Sequence, residues 1–117
     1  MAKFDVSLDT LFTALGEPTR RDILTRLARG PASVSELHAG RDMALPSFLD
    51  HVRKLEAAGL IVTRKVGRSR ICEMQGEALG PALHWLKEQR ALWEGRLDRF
   101  DDYVTNLMEE RDNEHRS

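Results

Sequence analysis

The sequence predicts a mainly α-helical protein with one two-stranded β-hairpin and a long C-terminal helix. Three observations favour this class. Four early segments carry apolar residues at helical spacing, residues 60–74 form two β-rich runs around a glycine, and residues 79–107 keep a 3/4 apolar spacing. Because 117 residues is the usual size of one domain, we expect residues 1–117 to share a single core.

Composition excludes several classes of protein. An apolar share of 41% and a charged share of 32% are typical of a globular domain rather than a disordered tail. No apolar run approaches the roughly 20 residues that span a bilayer, and the first ten residues lack the apolar stretch of a secretory signal. We therefore expect a cytoplasmic protein. The single cysteine, Cys72, has no partner for a disulfide, and we expect it to be a packing residue rather than a redox sensor.

Charge is distributed unevenly along the chain, although the formal net charge is only -1. Residues 1–40 carry five Lys or Arg and five Asp or Glu, residues 41–72 carry seven and three, and residues 73–117 carry six and eleven. The middle segment is therefore basic and the last is acidic. A local basic segment is what a phosphate-docking face needs, whereas the near-zero total argues against indiscriminate coating of nucleic acid.

The first two predicted helices lie before residue 30. The first covers residues 8–15, after Ser7 as N-cap and before Gly16 as a stop. Its apolar stripe consists of Leu8, Leu11, Phe12 and Leu15. The second begins near Pro18, where the missing N–H of proline costs nothing, and ends by Gly30. Its stripe consists of Ile23, Leu24 and Leu27.

The third and fourth predicted helices form a helix-turn-helix over residues 33–58. Ser33 and Glu36 have the S-x-x-E spacing of a capping box, which predicts a short helix that ends near Gly40. Pro46 can start the next helix, and Gly59 ends it. The core stripe of this helix consists of Phe48, Val52 and Leu55. The opposite face holds Pro46, Asp50, Arg53 and Ala57, flanked by Ser47, Leu49 and Lys54.

A basic hairpin over residues 60–74 follows this helix. It turns at Gly67 and carries four cations at or near its tip, namely Arg64, Lys65, Arg68 and Arg70. A short helix, a turn, a second helix with an accessible face and a basic hairpin together make a winged helix-turn-helix. Such a helix fits the roughly 12 Å major groove, and arginines of a wing reach phosphates or the minor groove. The sequence thus predicts double-stranded DNA as a partner.

These residues also resemble a known family. The stretch LGEPTRRDILTRLARGPASVSELHAGRDMALPSFLDHVRKLEAAGLIVTRKVGRSR, residues 15–70, is similar to the pattern of the ArsR-type winged helix-turn-helix repressors. The resemblance implies a homodimeric bacterial repressor with residues 46–58 as its recognition helix. The C-terminal stretch HWLKEQRALWEGRLDRFDDYVTNL further resembles a metal-independent branch of these regulators.

The chain departs from the family at its metal sites. The arsenic and cadmium sensors carry a C-V-C triplet at the start of the third helix, where this chain has Ser33, Val34 and Ser35. Hydroxyl groups are poor ligands for soft metals. The family's second metal site uses Asp, His and Glu on the last helix, yet residues 78–112 contain only His84 and no matching group. We therefore expect no metal and no other cofactor.

The residues predicted to contact DNA are Ser47, Leu49, Asp50, Arg53, Lys54, Arg64, Lys65, Arg68 and Arg70. The family often has Gln, Ser and His on the outer face of the recognition helix, where this chain has Leu45, Leu49 and Asp50. Leu49 either touches a thymine methyl group or packs under a neighbouring loop. Arg53 either contacts DNA or pairs with an acidic residue of its own helix, Asp50 or Glu56. His51 is expected at the edge of the core.

The last segment predicts dimerisation. Eight of nine positions at 3/4 spacing are apolar in the series Leu79, Leu83, Leu86, Arg90, Trp93, Leu97, Phe100, Val104 and Leu107. A helix of some 30 residues spans roughly 45 Å, more than a lone domain needs, so we favour dimerisation over packing on the chain's own core. The dimerisation helices are 8–15 and 78–112. The residues predicted for the interface are Leu8, Leu11, Phe12, Trp93, Leu97, Phe100, Val104 and Leu107.

The function that follows is that of a dimeric, sequence-specific regulator that represses transcription by occupying a pseudo-palindromic operator. An enzyme is not expected, because the sequence contains no Gly-rich phosphate loop and no recognisable nucleophile–base or carboxylate pair. A winged-helix module that binds protein partners instead of DNA stays open as the alternative. A steep salt dependence of binding to duplex DNA separates the two.

Overall fold

The computed structural model describes residues 7–116, with side chains to residue 111. Five α-helices, three strands and one 3-10 turn follow each other in these residues, with the bounds α1 Leu8–Leu15, α2 Pro18–Leu27, β1 Ala32–Ser33, α3 Val34–His38, α4 Leu45–Ala57, β2 Ile61–Val66, β3 Ser69–Met74, the turn Gly76–Leu79 and α5 Gly80–Arg116. The predicted class, mainly helical with a β-wing and a long C-terminal helix, is confirmed.

Side-chain caps begin the first three helices. The Ser7 hydroxyl accepts a hydrogen bond from the Thr10 N–H at 3.2 Å, and the Ser33 hydroxyl accepts one from the Glu36 N–H at 3.1 Å. Both caps were predicted. The cap of α2 is the Glu17 carboxylate, which accepts the Arg20 N–H at 3.0 Å and was not recognised in the sequence. These caps satisfy backbone donors that have no partner inside the helix.

The wing has one strand more than predicted. Strand β1 pairs with β3, so the antiparallel sheet has the order β1-β3-β2. A strand of two residues directly before a helix cap has too few positions to show alternation, which is why the sequence did not reveal it. The β2-β3 hairpin closes at the pair Val66 and Ser69. Gly67 takes φ 61° there, as a two-residue turn with glycine first requires.

The apolar stripes that were predicted for the helices pack together in the core. Leu11, Ile23, Phe48 and Leu55 are almost completely buried, as is Cys72 of β3. Burial raises the pKa of the Cys72 thiol, as fits a small packing residue.

Leu11 requires a correction to the predicted dimer interface. Its side chain is 1% exposed inside the core of its own chain, because it lies on the inner side of the α1 stripe. Leu8 and Phe12 pack against the same core but stay partly accessible. Leu79 of the predicted C-terminal series also packs against this core and belongs to the 3-10 turn. Of the three α1 residues predicted for the interface, Leu8 and Phe12 therefore keep some accessible surface, whereas Leu11 does not.

The chain divides into two compact units, the first ending at Ala82 and the second beginning at Leu83. Within the described residues, the second unit consists of α5 from Leu83 onward. Apart from Gly95, every residue from 83 to 111 is exposed. Helix α5 begins at Gly80 rather than at residue 78 and extends for 37 residues. None of the described helices combines the length and the apolar composition that a bilayer crossing requires.

Candidate nucleic-acid interface

Helix α4 is anchored by one face and leaves the opposite face accessible. Phe48, Val52 and Leu55 are buried at the predicted core stripe. The polar side chains of the outer face are exposed, namely Ser47, Asp50, Arg53 and Lys54. Leu49 is partly buried and packs against the core, which favours the packing alternative for this residue.

Of the two cations on the outer face of α4, Lys54 forms an ion pair and Arg53 does not. Lys54 Nζ lies 3.1 Å from Asp50 Oδ2, and this hydrogen bond and the lysine charge lower the pKa of the Asp50 carboxyl. Glu56 instead accepts a hydrogen bond from the Thr63 hydroxyl at 2.6 Å. Arg53 therefore forms an ion pair with neither acidic neighbour, and it has no side-chain hydrogen bond within residues 7–111. Its guanidinium remains available for a ligand.

The turn between α3 and α4 is fixed by two side chains that the sequence analysis overlooked. His38 Nε2 lies at hydrogen-bond distance, 2.7 Å, from the Met43 carbonyl oxygen. Arg41 donates from Nε to the Leu37 carbonyl at 2.6 Å and pairs through Nη1 with Asp22 at 2.7 Å. The partners are largely backbone oxygens, which leave no periodic signal in a sequence. These contacts set the angle at which α4 begins.

A buried arginine holds the other side of α4. Arg20 is 6% exposed, and its Nε and Nη2 donate to the carbonyl oxygens of Ala14 at 2.8 Å and Thr13 at 2.9 Å. Its Nη1 lies 3.0 Å from His51 Nδ1, on α4. His51 is 17% exposed, at the edge of the core where it was predicted. The sequence pattern does not indicate this role, because an arginine in the polar stretch EPTRRD carries no sign of burial.

The wing presents cations without internal partners. Lys65 and Arg70 face each other directly across the β2-β3 ladder, whereas Arg64 faces Ile71. Arg68 occupies the two-residue turn after Gly67. All four cations are exposed, and none forms an ion pair or side-chain hydrogen bond within residues 7–111. Like charges directly opposite each other destabilise a sheet, so this arrangement is suited to an anion that lies between them.

Helix α5 carries the predicted apolar seam on its surface. The seven apolar seam residues from Leu83 to Leu107 are 36 to 62% exposed in the single chain. Arg90, the polar member of the seam, pairs with Glu94 of its own helix at 2.9 Å. Four further apolar side chains are exposed off the seam, a wider surface than the single stripe that was predicted: Trp85, Leu92, Tyr103 and Met108.

The positions of Ser33 and His84 bear on the prediction that the protein has no metal site. Ser33, which stands where the metal sensors have a thiol, is used as the cap of α3. His84 lies 2.8 Å from Glu88 one turn further along α5. No group of three or more His, Cys, Asp or Glu side chains in the described part of the chain is placed to hold a metal ion.

Comparison with known proteins agrees with this architecture. Residues 15–64 match the family model of a helix-turn-helix domain. The HTH-type transcriptional regulator Rv2034 of Mycobacterium tuberculosis is 34% identical over 73 residues, which cover 62% of this chain and 68% of that protein.

Solved structures extend the similarity over more of the chain. The crystal structure of the ArsR family transcriptional regulator RHA00566 is 52% identical, with a TM-score of 0.70, and the match covers 74% of this chain and 96% of that one. An ArsR-like transcriptional regulator from Rhodococcus sp. RHA1 is 32% identical, with a TM-score of 0.66, over 80% of this chain and 88% of that one. These relatives are regulators and not enzymes, and the chain belongs to the ArsR family of helix-turn-helix transcriptional regulators.

Proposed function

We propose that the protein is a homodimeric repressor that binds a pseudo-palindromic operator through α4 and the β2-β3 wing, and that it acts in the cytoplasm without a metal cofactor. The observation that carries this proposal is the pair formed by Lys65 and Arg70. Two cations opposed across a hairpin, neither of which forms an ion pair in the described residues, repel each other, and an anion that neutralises both relieves this repulsion. A DNA phosphate is the anion that the fold suggests.

The wing supplies affinity in this proposal. Arg64, Lys65, Arg68 and Arg70 neutralise backbone phosphates, which releases counterions regardless of base sequence. The residues of α4 supply specificity, because a helix in the major groove places its side chains against base edges. Arg53 is the leading base or phosphate contact on α4, since its guanidinium forms no ion pair or hydrogen bond in the described structure. Ser47 and Lys54 flank it on the same accessible face.

The second unit supplies the dimer in this proposal, and we assign it to the same functional domain as the wing and α4. The seam at Trp93, Leu97, Phe100 and Val104 packs against its symmetry mate, assisted by Leu8, Phe12 and Leu107. Apolar side chains that are half exposed along more than three heptads are typical of a helix that pairs with another helix. Negative charge is concentrated in residues 73–117, so α5 itself is not suited to DNA.

Repression follows from steric occupation of the promoter by the bound dimer. Ser33 and Ser35 do not offer soft-metal ligands, so zinc, cadmium and arsenite are not expected to release the protein from DNA.

A salt titration tests DNA binding against the alternative of a protein-interaction module. Binding of the purified protein to a fluorescent DNA duplex is measured by anisotropy at salt concentrations from about 50 to about 300 mM. Log Kd varies steeply over this range when the protein neutralises phosphates. We expect a steep dependence, and Lys65→Glu should abolish most of the binding. Lys87→Glu on α5 makes the same change of charge at another exposed lysine and should leave binding unchanged. Weak, salt-insensitive binding by the unmodified protein would support the interaction module instead.

A further inference from the structure

Arg20 has an unusual position for a charged residue. Among the described residues it is the only buried side chain with a formal charge. Its three guanidinium nitrogens are all engaged, two by the carbonyl oxygens of Thr13 and Ala14 and one by His51. These carbonyls belong to the last turn of α1, where few backbone donors are at hand; the Thr13 oxygen also accepts the Gly16 N–H at 3.2 Å. Arg20 therefore joins the end of α1 to the middle of α4.

The chemistry of arginine determines which group donates and which accepts in the hydrogen bond between Arg20 and His51. An arginine side chain only donates hydrogen bonds, so His51 Nδ1 must accept, and the neutral ring carries its hydrogen on Nε2. Glu17 lies beside both groups, because its Oε2 accepts the Arg20 backbone N–H at 3.0 Å and stands 3.7 Å from His51 Nδ1. The carboxylate thus supplies negative charge close to a buried guanidinium, which otherwise carries a high desolvation cost.

Packing between α1 and α4 is incomplete at this point. A cleft of about 300 Å³ is lined by Asp9, Thr10, Thr13, Ala14, Arg20, Lys54 and Ala57. Several of these side chains are small, so few apolar contacts restrain α4 on the side of α1. The buried core stripe restrains the rotation of α4 from one side, and the contact at His51, on the edge of that stripe, restrains it from the side of Arg20.

We propose that Arg20 is a positioning residue for DNA recognition, which sets the rotation of α4 through the hydrogen bond to His51 Nδ1. The inference rests on the proposed function, since it concerns the helix proposed to read the operator. A binding group must be held within roughly 0.5 Å of its productive position, and a rotated α4 shifts Arg53 and Ser47 by more than that. Phosphate contacts of the wing are less sensitive to such a rotation, because the four wing cations lie on β2, β3 and the turn between them rather than on α4.

Two substitutions of one residue separate positioning from packing. In His51→Asn, the Oδ1 atom stands the same number of bonds from Cα as the histidine Nδ1 and can accept from Arg20. In His51→Leu, a side chain of the same shape as asparagine offers no acceptor. Each protein is titrated with an operator selected from a random duplex pool and with a duplex of unrelated sequence, and its thermal unfolding is recorded.

We expect His51→Leu to lose about tenfold in operator affinity with unchanged affinity for the unrelated duplex, the size of effect expected for a hydrogen bond to a charged group. His51→Asn should stay within about threefold of the unmodified protein on both duplexes. If the leucine protein does not fold, His51→Ala takes its place in the same comparison.

Two results overturn the inference: an equal loss of operator affinity in the asparagine and leucine proteins, or an unchanged ratio of operator to unrelated affinity in the leucine protein. An unmodified protein that does not prefer any duplex refutes the proposed function instead, so the two failures are distinguishable.

Discussion

Replacement of Arg70 by threonine should weaken DNA binding and, at the same time, stabilise the fold. Arg70 faces Lys65 across the β2-β3 ladder, and both side chains are exposed. Loss of one of two opposed like charges relieves a repulsion of roughly 0.2 to 1 kcal/mol, and threonine has a high strand propensity. We expect Tm to rise by about 1 to 4 °C for a domain of this size.

The same substitution has the opposite sign for DNA. Each phosphate contact contributes about 0.9 to the slope of log Kd against log salt, so the loss of Arg70 from both protomers of the proposed dimer should lower the slope by about 1.8. A residue that costs stability and contributes to binding is the signature of a functional site. An ordinary solvated hairpin would show the gain in stability without the change in salt slope.

Thermal unfolding at fixed protein concentration and a salt titration of duplex binding measure the two effects. Arg70→Lys is the matched control, because it keeps both the repulsion and the phosphate contact and should change neither quantity by much. An Arg70→Thr protein with an unchanged salt slope would refute the reasoning, and a lower Tm would show that Arg70 has a structural role on the wing.

Three further predictions concern other parts of the molecule. Leu97→Asp places a carboxylate in the proposed seam, so ultracentrifugation should find monomer and operator affinity should fall at least about tenfold; a dimer with normal binding would remove the seam from the mechanism. Arg53→Ala should lower the preference for the operator over unrelated duplex by about 1 to 3 kcal/mol if Arg53 reads a base, and competition titration measures this ratio. Partial desolvation opposes ionisation of Glu17, but the hydrogen bonds from the Arg20 and Thr19 N–H groups and the charges of His51 and Arg20 together outweigh it and lower the pKa of the carboxyl below its ordinary value of 4.5. The stability that Glu17 contributes is therefore complete above that value and is lost as pH falls through the lower folded-state pKa, so Glu17→Gln should flatten acid denaturation below pH 4.5.

Sequence patterns predicted the helices and the hairpin because their signals are local. Ser7 and Ser33 cap the helices as expected, and Gly67 has the positive φ that a two-residue turn requires. The stripe of α4 was correct in every member, since a 3.6-residue period determines which side faces the core. The predicted helix began one residue late, at Pro46 instead of Leu45, which is the usual uncertainty of a helix end.

The features that the sequence did not reveal depend on contacts between distant segments. Arg20 meets His51 across 31 positions of the chain, and Arg41 meets Asp22 across the α2-α3 connection. The sequence separation within each pair matches no helix or strand period, so no local pattern indicates either contact. Leu11 belonged to an amphipathic stripe, but periodicity alone does not distinguish a stripe that packs within the chain from one that packs against a partner. The short strand β1 exists only because β3 pairs with it.

Selection of binding sites from a random duplex pool, followed by footprinting of the selected DNA, tests the central claim most directly. A two-fold dimer with one α4 in each of two successive major grooves protects an inverted repeat whose half-sites are centred about 10 base pairs, or roughly 34 Å, apart. We expect enrichment of such a repeat, with additional protection of flanking phosphates by the wings. A pool without enrichment, or a single asymmetric site bound by one protomer, would contradict this claim.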